Sequence, residues 1–380
     1  MPLFLEKLLR PPNKNEVEIS VFGPGYGESI VLHIPEIGWG VVDSCITRIG
    51  NTYVVPALNY LLELLPPTFP RLAFVVLTHP HKDHYEGIEK VLRQYPGGTE
   101  RVCRYDGDGI RELKLYLTQQ RVAGNYVLRG LVDVFKAMEE AVKSGTQFRR
   151  LGEMALVFDL KNVSVEGYGK TDIRMMALSP SATSSQKYVE MLFKAFPQNG
   201  KPIFPINDEA HNLISVALLL DIGDIQVILG SDVENGLQAN TGWNGIISNK
   251  DCPELWANLV KVSHHGSENG FNPLAWEQHC RKMRPLAIVT SFRQGKTILP
   301  KNEDIQNLKK VSHKVGLTSP LRLEKNLYKY YPRDVVSSLL NRARYVRIVE
   351  PTEKIGFIRT RFLLDGTITE SRAEAPSCWY

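Results

Sequence analysis

Residues 72–87 read LAFVVLTHPHKDHYEG. The apolar run 72–77 has the length and β-branched content of a buried strand, and it breaks at Thr78 into a polar turn. His79, His81, Asp83 and His84 then fall within six positions, in a chain that holds only nine histidines. Past the end of a strand, His79 and His81 alternate and so point the same way. A chain reversal after them lets Asp83 and His84 face a second point nearby. Neutral imidazole and carboxylate are ligands that suit Zn²⁺, with Mn²⁺ or Fe as neighbours in preference. Two adjacent pairs of such ligands predict two ions, roughly 3.5–4 Å apart.

Further donors sit at the ends of later apolar runs. VILGSD ends in Asp232, whose two oxygens could bridge two ions. LVKVSHHGS ends in His264 and His265, one of which is expected to complete the shell begun by His79 and His81. A divalent ion lowers the pKa of its water toward about 7, which predicts hydrolysis by hydroxide. Asp83 is placed to be both a ligand and the orienter of that nucleophile. Asn212 and Ser267 are candidates to touch a substrate oxygen, although both residue types also cap loops. Lys82 is expected to face solvent, and His33, His279 and His313 to be ordinary structural histidines.

The composition fits this chemistry. The 380 residues are 43% hydrophobic and 23% charged, an ordinary globular balance. No apolar stretch reaches the roughly 18 residues of a membrane span, so no membrane partner is expected. The opening MPLFLEKLLRPPNKNEVE reads as a short lead-in and not as a signal peptide. Cys45, Cys103, Cys252, Cys280 and Cys378 are widely spaced with no C-x-x-C pair, which argues for reduced thiols and a cytoplasmic location. Charge is uneven. Residues 281–380 hold 20 Lys and Arg against 9 Asp and Glu, leaving 26 against 32 in the first 280. A basic C-terminal region of this kind attracts phosphate-bearing ligands or nucleic acid, or docks an acidic partner protein, or is simply solvated.

Along the chain, EVEISVFG, SIVLHI and WGVVDSC predict an antiparallel opening of three strands around the glycine-rich GPGYGESI. VVPALNYLLELL predicts a helix. Residues 110–150 read as helical, and residues 186–196 as a short helix within a polar segment. Strands are expected in MALVFDL, DIRMMALSP, LISVALLLDIG, DIQVILGSD, WANLVKVS and PLAIVTSF. RDVVSSLLNRARYV predicts a helix, and IGFIRTRFLLDGTITE a hairpin turning at Asp365-Gly366. Two strand-rich halves interleaved with helices make an α/β fold.

The ordered set H-x-H-x-D-H at 79–84, Asp232 and HHGS at 264–267 resembles the metallo-β-lactamase superfamily. Within it, GPGYGESIVLHI, LSP at 178–180, Asn212 before SVAL, and HHGS resemble the metallo-hydrolase domain of the bacterial competence DNA-uptake channel protein and its soluble relatives. The resemblance covers roughly residues 16–300. It implies a four-layer αββα sandwich, with a hydrolase domain over 1–300, a helical insert at about 105–150 and a basic C-terminal extension over 301–380 packing on it. It implies that Asp43 orients the motif loop and that Asp232 bridges two ions, zinc most readily. The family often carries a histidine shortly before the bridging aspartate, for which His211 is the candidate as ligand or substrate contact. Relatives carry a histidine where this chain has Leu299, which leaves the Asp83 and His84 shell one ligand short. The function implied is a metal-dependent phosphodiesterase or nuclease acting on nucleic acid or a nucleotide. Two alternatives stand beside it. One is a regulatory or effector subunit with a gated or degenerate site, bound to a partner through the insert or the basic region. The other is a hydrolase of a lactone, thioester or β-lactam bond.

Overall fold

Val17, Ile19 and Val21 alternate with Glu16, Glu18 and Ser20 along the first strand, yet all six side chains are buried. The strand is therefore covered on both faces: apolar residues meet a second sheet, and polar ones lie under a helix. The computed structural model describes residues 10–95, 97–106, 126–195, 208–294, 297–319, 355–374 and 377–380.

In chain order, strands β1 (Glu16–Phe22), β2 (Ser29–Ile34) and β3 (Gly38–Val42) precede a small hairpin of β4 (Thr47–Ile49) and β5 (Thr52–Val54). Helix α1 (Pro56–Leu64) leads to β6 (Leu72–Leu77), then to α2 (Lys82–Tyr85), α3 (Ile88–Gln94) and β7 (Thr99–Tyr105). Helix α4 (Tyr126–Lys143) precedes β8 (Gln147–Leu151), β9 (Leu156–Val165) and β10 (Gly169–Ala177). Helix α5 (Ala182–Ala195) is followed by β11 (Leu218–Ile222), β12 (Ile225–Leu229), α6 (Gly242–Ser248), β13 (Leu259–Lys261), α7 (Pro273–His279) and β14 (Leu286–Val289). A hairpin of β15 (Phe292–Gln294) and β16 (Thr297–Leu299), helix α8 (Asn302–Val311), β17 (Lys314–Leu317), β18 (Phe357–Leu363), β19 (Ile368–Glu374) and β20 (Cys378–Trp379) complete the described elements.

Two eight-stranded sheets result, ordered β19-β18-β1-β2-β3-β6-β7-β8 and β20-β17-β14-β13-β12-β11-β10-β9. Their inner faces share one core, in which Ile19, Val41 and Val75 join Met175, Leu218, Leu220, Val227 and Ile288. Leu219, between two inward residues, points the other way and packs with Ile228 and Val260 against Trp243, Ile246, Trp276 and Leu308 of α6, α7 and α8. Helices α1 and α4 contact β2 and β7 on the first sheet. The chain thus forms four αββα layers. Strands β3, β6 and β7 run parallel in one sheet, and β12, β13, β14 and β17 in the other. Strand β6 is buried along its whole length, on both faces, which is why LAFVVL reads as one continuous apolar run.

One close approach fixes the first sheet. Gly40 pairs with Phe74, and a Cβ on Gly40 would lie 2.2 Å from that fully buried ring. The glycine is needed to let the ring cross the strand. Gly40→Ala is expected to destabilise the chain by about 1–3 kcal/mol through overpacking, read as a lowered denaturation midpoint with unchanged slope.

The structure departs from the sequence reading in several places. The strand expected from Leu213 begins only at Leu218, because residues 208–214 form a 3-10 turn and Val216 N–H bonds Thr78 O, 3.2 Å away in the other sheet. The region expected to be helical over 110–150 contains helix α4 but ends in strand β8, an exposed edge with a weak apolar pattern. Residues 301–380, expected as an extension packing on the domain, supply β18 beside β1 and β17 beside β14, and so build both sheets. The helix expected in RDVVSSLLNRARYV and residues 110–125 of the insert lie outside the described residues.

The basic surplus of that C-terminal region is also partly internal. Arg361 and Arg359 are buried on β18. Arg361 Nε donates to Glu18 Oε2 at 2.8 Å, and Arg359 Nη2 donates to Glu370 Oε1 at 2.6 Å.

Candidate metal centre

The carboxyl ends of the central parallel strands of both sheets open onto one crevice, the usual place for a site in such sheets. Strand β6 delivers Thr78, His79 and His81, and β3 delivers Asp43. From the other sheet β12 delivers Ser231 and Asp232, β13 delivers His264 and His265, and β14 delivers Thr290. After His81 the backbone turns at once, because His84 and Tyr85 N–H both bond His81 O. That turn brings Asp83 and His84 back toward the crevice. The Gly-rich loop passes directly beneath: Glu28 N–H donates to Asp83 O at 3.0 Å, and a Cβ on Gly27 would stand 2.6 Å from the same oxygen. Asp43, Ser231, His264 and His265 all hold positive φ. Such backbone costs about 1–3 kcal/mol per residue and collects at functional sites.

Hydrogen bonds outside the crevice set the inward face of each imidazole. Asp43 accepts from Thr78 N–H at 2.8 Å and Thr78 Oγ1 at 2.6 Å, and its Oδ2 lies 2.8 Å from His84 Nδ1. With Nδ1–H donated to Asp43, His84 turns Nε2 inward. Thr78 Oγ1 lies 3.0 Å from His79 Nδ1 and, having spent its own proton on Asp43, accepts the proton of His79. His265 Nδ1 lies 3.0 Å from Thr290 O, and a carbonyl only accepts, so Nε2 of this ring is also the lone-pair face. Outer partners that fix tautomers in this way are the habit of metal-binding histidines.

The inward faces converge on one atom. Asp232 Oδ2 lies 3.4 Å from His84 Nε2, 3.6 Å from His79 Nε2 and 3.8 Å from His265 Nε2. Asp83 Oδ2 lies 3.3 Å from His265 Nε2 and 3.8 Å from His84 Nε2. His81 Nδ1 stands 3.0 Å from His79 Nε2. Among the described residues four groups of donors each sit within reach of a single ion: His79, His81 and Asp232; Asp83, His84 and His265; Glu28, Asp232 and His265; and Asp43, His79 and His84.

The donor set fits divalent cations on its own chemistry. His84 Nε2, His265 Nε2 and Asp232 Oδ1 are buried with no hydrogen-bond partner, a costly arrangement that a cation relieves. Glu28, Asp43, Asp83 and Asp232 are four buried carboxylates, while Lys261 is the buried ammonium among them. The proton equilibria reflect the same imbalance. Burial opposes a proton on His84, but the carboxylates of Asp232, Asp83, Glu28 and Asp43 outweigh it and hold that imidazole well above its ordinary range. His265 is raised in the same way against its burial, mainly by Asp232 and Asp83. Burial tends to raise Asp232, yet the facing His84 and His265 hold it well below the usual carboxylate range. His79, desolvated and beside His84, is held well below its normal value.

The two shells are partitioned differently from the sequence reading. One of His264 and His265 was expected beside His79 and His81; His265 instead lies with Asp83 and His84, its Nδ1 held by the Thr290 carbonyl. His264 turns outward: its Nδ1 lies 2.9 Å from Asn269 Oδ1 and its Nε2 3.3 Å from Asn212 Nδ2. Ser267 Oγ donates to Asn269 Oδ1 and so braces this loop. Asn212 Nδ2 donates to Glu234 Oε1 at 2.8 Å, placing Asn212 with His264 on the rim. His211 packs against His81, its ring 5.3 Å from that of His81 and perpendicular to it. Burial, then the neighbouring His81, push it down to about 3. Lys82 pairs with Glu86 at the surface.

Sequence reasoning missed Glu28, Lys261 and Thr290. Glu28 and Lys261 form a fully buried ion pair under the centre, with Lys261 Nζ also donating to Ser231 O at 3.2 Å and Thr290 Oγ1 to Glu28 Oε2 at 2.8 Å. Their signal was a charged residue inside each of two stretches already singled out, the glycine-rich loop and LVKVSHHGS. Phe292 stacks on His265, with ring centroids 4.8 Å apart.

No protein-family model matches the chain, and no curated protein does. Solved structures do resemble it. The metallo-beta-lactamase fold protein YhfI from Bacillus subtilis aligns with 79% of this chain and 95% of its own, at 12% identity and a TM-score of 0.37. Human tRNase Z, short form, aligns with 71% of this chain and 91% of its own, at 12% identity and a TM-score of 0.36. Zn(2+)-bound PqqB from Methylobacterium extorquens aligns with 65% and 72%, at 10% identity and a TM-score of 0.29.

Proposed function

We propose that this chain is a metal-dependent hydrolase of the metallo-β-lactamase superfamily, related to the hydrolase domain of the bacterial DNA-uptake channel protein, and that it cleaves phosphodiester bonds of nucleic acid or a nucleotide. The observation that carries the reading is the convergence of three imidazole Nε2 atoms on Asp232 Oδ2, two of them without a hydrogen-bond partner. His79, His81 and Asp232, with His211 beside them, would hold one ion; Asp83, His84, His265 and Asp232 the other. Zinc suits this mixture of imidazole and carboxylate, with manganese or iron as alternatives. Bound divalent ions supply an activated water at neutral pH and positive charge for the oxygen that gains charge in the transition state.

The protein's own part is positional. Asp232 Oδ2 stands between the two shells, and Asp83 faces the crevice from α2 with burial opposing its charge and His84 sustaining it. Asp43 and Thr290 fix the two rings that serve the second shell. Asn212 and His264 present amide and imidazole groups at the rim, where a substrate oxygen would arrive.

Single-stranded DNA, RNA and cyclic dinucleotides, offered beside a lactone and a thioester, test the choice of bond. Cleavage of at least one phosphodiester is expected. Turnover confined to the lactone or thioester would overturn the phosphodiester reading while leaving the hydrolase intact.

A pH dependence follows from the raised histidines. Nε2 of His84 and of His265 must be free of protons to accept a metal, and below their raised pKa values the proton competes. Metal occupancy is expected to be highest on the alkaline side and to fall as pH drops through the range where these two rings protonate. Equilibrium dialysis across a pH series reads this directly; occupancy that rises on acidification contradicts it.

A further inference from the structure

Tyr188 is fully buried on α5, and its hydroxyl lies 2.8 Å from His211 Nδ1. On its other side the His211 ring stands perpendicular to that of His81, with centroids 5.3 Å apart. A neutral imidazole carries one N–H and one lone pair, and the partner of one nitrogen decides the state of the other. A phenol oxygen can accept the Nδ1 proton, and nothing else in the described contacts competes for that nitrogen. Asp43 and the Thr290 carbonyl, which only accept, treat His84 and His265 in this manner; the Tyr188 hydroxyl can also donate, and an ion at Nε2 of His211 is what would make it the acceptor.

We propose that Tyr188 is a positioning residue for the metal centre: it accepts the Nδ1 proton of His211 and so presents Nε2, unprotonated, to the ion held by His79 and His81. The inference rests on the metal reading above. It assigns α5, a helix outside both sheets, a role in the first shell only. The second shell, whose rings are fixed by Asp43 and Thr290, does not depend on it.

The test uses the whole chain with Zn²⁺ or Co²⁺ as the probe, in competition with a chromophoric chelator. Tyr188→Phe is expected to weaken one of two ions by about 10–100-fold, the usual cost of losing an outer partner, and to leave the other unchanged. Tyr105→Phe is the control, since Tyr105 is also fully buried and its hydroxyl bonds nothing among the described residues. It should leave both affinities as they are. In a His211→Ala background, Tyr188→Phe should add nothing. A readout on the unaltered, metal-loaded chain guards against misfolding of the variants: ¹⁵N NMR of His211 should show Nδ1 protonated and Nε2 shifted by the ion. Two equally tight ions in Tyr188→Phe, or a His211 protonated at Nε2, overturns the proposal while the two-metal reading stands. A native chain that takes up no ion defeats that reading itself, and this inference with it.

Discussion

Asp232→Ala is expected to lose both ions and to lower kcat/KM on an activated phosphodiester such as bis(p-nitrophenyl) phosphate by about 10³-fold or more. The size follows from its place. Its Oδ2 lies within 3.8 Å of the inward nitrogens of His79, His84 and His265 together. Loss of an outer partner costs about 10–100-fold in affinity or activity, and loss of a single group that stabilises the transition-state charge about 10²–10³-fold. A residue shared by two shells should exceed both. Asp232→Asn keeps the volume and one carbonyl oxygen but removes the charge, so it separates packing from electrostatics. Metal content, kcat/KM and the unfolding midpoint measured on both variants make the comparison. Two retained ions in Asp232→Ala would contradict the bridging role.

The largest effect on stability is expected away from the centre. Glu18 on β1 accepts from Ser20 Oγ at 2.8 Å, Tyr60 Oη at 2.7 Å and Arg361 Nε at 2.8 Å, all buried. It joins the opening strand to Tyr60 of α1, 42 residues on, and to Arg361 of β18, 343 residues on. Glu18→Ala leaves the Arg361 guanidinium buried with Glu370 Oε2, 3.3 Å from its Nη1, as its remaining carboxylate. Breaking a buried pair from one side costs about 3–5 kcal/mol, because the remaining charge stays desolvated. Urea unfolding should show that loss. Replacing Glu18 and Arg361 together by apolar residues should recover much of it, since a well-packed apolar pair often equals a buried ion pair. A Glu18→Ala midpoint within error of the native chain would show that this network does not hold β18 in the sheet.

Much of the site was legible because metal ligands must be particular residue types at strand ends. His79, His81, Asp83, His84, Asp232 and Asp43 each follow an apolar run, and the strand period alone aims the first two. The partition of the shells was not legible. Whether His264 or His265 faces inward depends on backbone at positive φ and on a carbonyl of Thr290 that lies 25 residues away. His211 came within reach because residues 215–217 cross to Thr78 before β11 begins, which a run of apolar residues read as one long strand conceals. The opening and central strands of the fold were readable from alternation and buried runs. The entry of β18 into the first sheet was not, because pairing across some 340 residues leaves no local trace, and a basic composition suggested surface where Arg359 and Arg361 are internal.

The most direct test is a calorimetric titration of the metal-free native chain with Zn²⁺ and with Mn²⁺, repeated on His81→Ala. Two ions per native chain are expected, with one of the two weakened or lost in His81→Ala while the Asp83, His84 and His265 shell still binds. No saturable binding to the native chain, or the same two ions bound equally well by His81→Ala, would contradict a centre built by these two shells.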